Sequence, residues 1–138
     1  MQQSLIYDKI RNVIRKEIPE TIAIYLFGSR ADGTFNPGSD FNLGILLPHD
    51  KPINDLALFN LQQDLSASLN HDVDLIYLNN ATLVMQFQIT SNGVLLFEKD
   101  RAQVLKFETL VFSMYQRFNE ERKAILEEIE SSGKIYSA

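Results

Sequence analysis

Cysteine is absent from these 138 residues, which removes disulfide frameworks and thiolate metal sites together. Long apolar runs are missing too: no stretch approaches the roughly 18 residues of a membrane-spanning helix. The opening residues, Met1-Gln2-Gln3-Ser4, lack the basic-then-apolar pattern of a secretory signal. The expected address is therefore the cytoplasm. Nor is there a basic excess. Thirteen Lys and Arg stand against eighteen Asp and Glu, for a formal net charge of −5 and a pI near 5.0. A protein that grips nucleic acid neutralises phosphates with Lys and Arg. Direct nucleic-acid binding is thus not expected, while a partner with a basic surface is.

What is present suits a folded core. Apolar residues make up 45% of the chain, and the length fits one domain spanning 1–138. Leu5, Ile10, Val13 and Ile14 recur at near-helical spacing, so a first helix is expected over 4–17, ended by Pro19. Thr21 to Phe27 is a β-rich apolar run that stops at Gly28. From Arg30 to Ser39 two glycines and a proline indicate a loop after a short helical turn. Asp40 to Leu47 reads as a second strand and Val73 to Leu78 as a third. Between them, 53–69 reads as a helix with Ile53, Leu56, Phe59 (or Leu58), Leu61, Leu65 and Leu69 inward. A short helix over 81–91 should end at Asn92-Gly93 as a left-handed stop, before a last short strand at Val94 to Glu98. One long helix follows from about Arg101 to Glu130, striped by Val104, Phe107, Val111, Met114, Phe118, Ile125 and Ile129. Gly133 to Ala138 reads as a frayed end. The class is α/β (α+β): a small mixed sheet flanked by helices, with a long C-terminal helix.

Three pieces carry chemistry. Gly28-Ser29 closes the first strand, Asp40-Phe41-Asn42 opens the second, and Asp74 lies in the third. Side chains alternate faces along a strand, so Asp40 and Asn42 point the same way. If the third strand lies beside the second, Asp74 faces that pair. Gly28 lets backbone approach a phosphate without a Cβ in the way. Ser29 offers a hydroxyl and an N–H to phosphate oxygens. Arg30 reads equally as a phosphate contact or a solvated arginine. Carboxylates two apart on a strand can bridge two Mg²⁺ ions roughly 3.5–4 Å apart, the arrangement that serves in-line displacement at phosphorus. Oxygen donors are also what Mg²⁺ prefers. Bland readings stand beside these: Asp40 as a turn cap, Asp74 as an exposed strand residue, Asp72 as an alternative ligand. His49 and His71 read as surface residues. No Gly-x-Ser-x-Gly elbow surrounds Ser29, so a hydrolase triad is not expected.

The string Leu26-Phe27-Gly28-Ser29-Arg30-Ala31-Asp32-Gly33, ten residues between Ser29 and Asp40, and then Asp40-Phe41-Asn42-Leu43 resembles the signature of the DNA polymerase β nucleotidyltransferase superfamily. That signature is Gly-Ser, about ten residues, then Asp-x-Asp. Val73-Asp74-Leu75 resembles its third carboxylate strand. The chain has no room for the domains that hold a template or a tRNA, and so looks like the minimal nucleotidyltransferases paired with HEPN-domain proteins in toxin–antitoxin systems. The resemblance implies a polymerase β-like fold, ATP as substrate and two Mg²⁺ ions on Asp40, Asn42 and Asp74. Gly28, Ser29 and Arg30 would bind the nucleotide. It also implies a HEPN RNase toxin as partner, neutralised by addition of AMP to a tyrosine.

Two positions depart from the pattern. Position 32 is Asp where a basic residue is often found. Position 42 is Asn where the pattern has an aspartate, so activity of the chain as written should be impaired. A degenerate natural sequence and an inactivating substitution both account for Asn42, and the otherwise intact motif favours the second. The alternatives are a small-molecule transferase of the aminoglycoside type and a non-catalytic antitoxin that only masks its partner.

Overall fold

The computed structural model describes residues 2–34 and 36–132. The elements run α1 (Gln2–Glu17), β1 (Ala23–Phe27), α2 (Ser29–Asp32), β2 (Phe41–Leu46), α3 (Asp55–Leu69), β3 (Val73–Tyr77), a 3-10 turn (Leu78–Asn80), α4 (Leu83–Asn92), β4 (Val94–Glu98) and α5 (Arg101–Ser132). The expected elements are all present, and the expected frayed end at 133–138 lies outside the described residues. The strands form one sheet in the order β3-β2-β1-β4. β1 pairs antiparallel with both β2 and β4, while β2 and β3 run parallel. The sheet is mixed because α3 carries the chain back over it, as a parallel connection requires.

Alternation along β1 and β2 separates two cores. Ile24, Leu26, Phe41, Leu43 and Ile45 meet α1 and α3 through Ile10, Ile14, Leu61 and Leu65. Ala23, Tyr25 and Leu46 meet Leu78, Ile89 and Val104 on the opposite face. Helix ends are set by side chains: Asn54 caps α3 by accepting from Ala57 N at 2.8 Å, and Thr82 caps α4 by accepting from Met85 N at 3.2 Å. Among the described residues no helix is long and apolar enough to cross a membrane.

Several expectations need correction. Leu5, Leu56 and Phe59 are exposed at 64%, 69% and 53%, and Leu58 is the alternative that packs on the core. The inward stripe of α3 is thus Leu58, Leu61, Leu65 and Leu69, one turn apart. Gly93 is not left-handed: its φ of −78° and ψ of 168° are extended. A Cβ there would collide with the Ile89 carbonyl oxygen and lie 3.0 Å from that of Leu26. Close backbone approach, not handedness, is what demands the glycine. On α5 only Val104 and Val111 are buried, while Met114, Phe118 and Ile125 are exposed.

Candidate active site

The expected site residues gather at one end of the sheet. Phe27 of β1 lies opposite Asn42 of β2, and Asn42 lies beside Asp74 of β3. The three form a row across adjacent strands, on the face that carries Tyr25 and Leu46. Asp40 precedes β2 by one residue and is exposed, as is Asp74; Asn42 is half-buried. Among the described residues, none of the Asp40, Asn42 and Asp74 side chains has a hydrogen bond or ion pair. The turn-cap reading of Asp40 fails, because neighbours do that work. Asn36 Oδ1 accepts from Gly38 N at 2.9 Å, and Ser39 Oγ accepts from Asn36 N at 3.0 Å. Asp72 serves through its backbone, its carbonyl accepting from Phe41 N at 3.0 Å.

Gly28 turns the chain over this row with φ 76° and ψ −157°, a region open in practice only to glycine. A Cβ would also overlap the side-chain amide nitrogen of Asn42. The glycine turn and position 42, fourteen residues apart in sequence, therefore lie side by side, because β1 and β2 are registered so that Phe27 meets Asn42. Ser29 and Arg30 follow in α2, a single turn closed by Gly33 in the left-handed conformation. Asp32 is explained by local structure. Its carboxylate accepts from Thr34 Oγ1 at 2.6 Å and Thr34 N at 3.0 Å, and these bonds hold its pKa below the ordinary value.

Arg30 is neither solvated nor turned out to solvent. It is 9% exposed. Its guanidinium donates to Ser39 O at 2.8 and 3.2 Å and to Pro37 O at 3.4 Å, and it lies 4.1 Å from the Phe41 ring centre. His71 grips the same loop, and so is more than a surface residue. Its ring nitrogens lie 2.9 Å from Leu69 O and 2.8 Å from Pro37 O, and its ring meets Phe41 edge-on at 5.5 Å. Arg30 and His71 thus hold the Pro37–Ser39 segment that delivers Asp40. This pair was invisible in sequence, since 41 residues separate its members and only the β2–β3 pairing joins them. His49 is exposed in its loop, as expected.

The donor set suits a hard cation in part. Asp40, Asp74 and the amide oxygen of Asn42 are oxygen donors of the kind Mg²⁺ takes beside water and phosphate. Among the described residues no group of three His, Cys, Asp or Glu gathers anywhere. The carboxylate that would complete such a group here is the one missing at position 42.

The family described as "Polymerase beta, Nucleotidyltransferase" matches residues 8–102. The chain belongs to the polymerase β nucleotidyltransferase family. Within that family it is 34% identical over 127 residues to the protein adenylyltransferase MntA of Shewanella oneidensis, covering 92% of this chain and 89% of that one. A crystal structure of a toxin–antitoxin with AMP-PNP superposes with a TM-score of 0.78 at 32% identity, over 90% of this chain and 98% of the other. A tri-AMPylated Shewanella oneidensis HEPN toxin in complex with MNT antitoxin matches with a TM-score of 0.76 at 32% identity, over 94% of this chain and 99% of that one. The expected fold is the family's fold, and the Gly28–Asp40–Asn42–Asp74 row falls within the matched span.

Proposed function

We propose that this chain is a protein adenylyltransferase antitoxin, which transfers AMP from ATP to a hydroxyl, expected to be a tyrosine's, of a HEPN-domain RNase toxin. The observation that carries the reading is the unpartnered row of Asp40, Asn42 and Asp74 beside Gly28, in a chain 34% identical to MntA over 92% of its length. The acceptor oxygen attacks the α-phosphorus of ATP, its bond to the bridging oxygen breaks, and pyrophosphate leaves. Gly28 gives the triphosphate close access to backbone, and the Ser29 hydroxyl, without a partner among the described residues, donates to a phosphate oxygen. Asp74 takes the proton from the acceptor hydroxyl. Arg30 acts through the loop it holds, positioning Asp40.

Mg²⁺ is the group that Asp40, Asp74 and position 42 would hold, and when bound it supplies positive charge against the phosphates and the attacking oxygen. An aspartate at position 42 completes the set for two ions. The amide leaves it one charge short, so the chain as written binds its partner but transfers poorly.

Co-expression with the HEPN-domain protein expected to be encoded beside it tests this reading by intact mass. The Asn42→Asp chain should add one or more AMP units to the toxin, and the Asn42 chain at least ~100-fold fewer per unit time, the scale of losing one electrostatic stabiliser. An unmodified toxin with both chains would overturn it.

A further inference from the structure

We propose that the second half of α5, centred on Phe118 and Ile125, is where the toxin docks, taking an apolar helix face rimmed by Lys and Arg. The identity of the partner rests on the function proposed above; the surface does not. Val104, Val111, Phe118 and Ile125 follow one another at seven-residue intervals, a spacing that keeps them on one line of a helix. The first two are 0% and 2% exposed, and the next two 42% and 58%. The stripe that anchors α5 to the sheet therefore continues, with its spacing unbroken, after the domain has run out. Tyr115 marks the boundary. Its ring stacks on Phe87 of α4 at 3.9 Å, and the Phe118 ring lies 6.3 Å from it. From Phe118 to Ser132, about 20 Å of helix at 1.5 Å per residue, Leu126 adds a further large exposed side chain at 52%. Such clustering on a folded surface marks an interaction site.

Charge selects the occupant. Between Phe118 and Glu130 five glutamates (120, 121, 127, 128 and 130) oppose Arg122 and Lys123, a local balance of −3. A second copy would bring the same acidic rim, on a chain already at −5, and like charges across an interface are costly. A partner with basic residues around an apolar helix stripe meets both features at once. An RNA-cleaving protein carries cationic surface for its own substrate, which makes it a source of such a rim where a second acidic copy is not. None of the stripe belongs to the Asp40–Asn42–Asp74 row. Binding is then separable from transfer, and the complex forms whether or not AMP is moved.

The test is the Phe118→Asp/Ile125→Asp double variant in the Asn42→Asp chain, with the HEPN-domain toxin of the proposed function. Both positions are exposed, so the melting temperature should stay that of the parent. Affinity for the toxin should fall at least ~30-fold, the loss of one strong interface anchor. KM for the toxin should rise in step while kcat at saturating toxin stays unchanged. Parental affinity in the double variant would overturn the proposal. So would a dimer of the parent chain alone that the double variant dissolves, since a second copy would then be the occupant. If the parent chain itself fails to bind the toxin, the proposed function falls as well, and the two failures are told apart by that control.

Discussion

Two ends of one sheet face are finished in opposite ways. At the α4/α5 end, Tyr25 is 1% exposed and its hydroxyl donates to Glu108 at 2.7 Å. Burial, and then that bond, push its pKa far above the ordinary tyrosine value. Ile89 and Val104 close over it. Two residues further along β1, Phe27 begins the row in which Asn42 and Asp74 stand side by side without partners among the described residues. The strands are the same, and only the cover differs. Where helices lie over the sheet, the buried hydroxyl has found its acceptor, as a dry interior demands. Where the cover stops, the Asn42 amide and the Asp74 carboxylate have no partner among the described residues. Packing and hydrogen bonding are complete at one end and incomplete at the other, the division expected if the proposed site departs from what folding alone prefers.

The sharpest way to break that comparison is to neutralise Asp74. In the Asn42→Asp chain, Asp74→Asn should lower AMP transfer at least ~100-fold while the melting temperature without Mg²⁺ stays level or rises. Like charges gathered without a counter-ion repel, so removing one relieves the fold. A collapse in melting temperature would make Asp74 a structural residue and erase the contrast. Tyr25→Phe should do the reverse. It leaves Glu108 without its donor at the rim of the core, and should cost about 1.5–3 kcal/mol in chemical denaturation, the range for a hydrogen bond to a charged group, with ATP affinity of the remaining folded protein unchanged. If Tyr25→Phe cost nothing and Asp74→Asn unfolded the chain, the two ends would have to exchange roles.

Sequence patterns read the strands, and where they place the candidate residues, well, because both rest on local signals. Gly28-Ser29 with Asp40 and Asn42 ten residues on places a turn and a strand by itself, and the β2–β3 pairing then brings Asp74 alongside. What the patterns could not supply was cover. Helical spacing names the face of α5 that is apolar, yet Val111 is buried and Phe118 is not, since burial depends on how far α4 and the sheet extend. The same holds on α3, where Leu58 and Phe59 both fit an apolar face and only packing on the core cluster chooses Leu58. Gly93 reads as a left-handed stop, but its requirement comes from close backbone, first the Ile89 carbonyl of α4 and then the Leu26 carbonyl of β1. Arg30 and His71 were undervalued for a related reason: their acceptors are backbone carbonyls of Pro37, Ser39 and Leu69, and residue type carries no record of those.

The smallest effect lies away from both ends, where α1 meets α3. Slight loss of solvent, then the neighbouring Asp64, raise the pKa of the largely exposed Glu17 above its ordinary 4.5, because the ionised form is less well hydrated and faces a second carboxylate. The sign follows from linkage. A carboxyl whose pKa is higher folded than unfolded penalises the folded state above that folded pKa, and the penalty fades as pH falls through it. Below the unfolded value both states are protonated and nothing remains. Glu17→Gln removes the ionisation while keeping a donor for Asp64. It should raise the melting temperature slightly at pH 7, and the gap to the parent should close near pH 4. Since Glu17 is exposed on its outer side, the gap at pH 7 should also shrink in high salt. Melting curves at the two pH values decide it: a gap that persists at pH 4 would trace the effect to packing between α1 and α3 instead of to charge, and AMP transfer should be the same for both chains throughout.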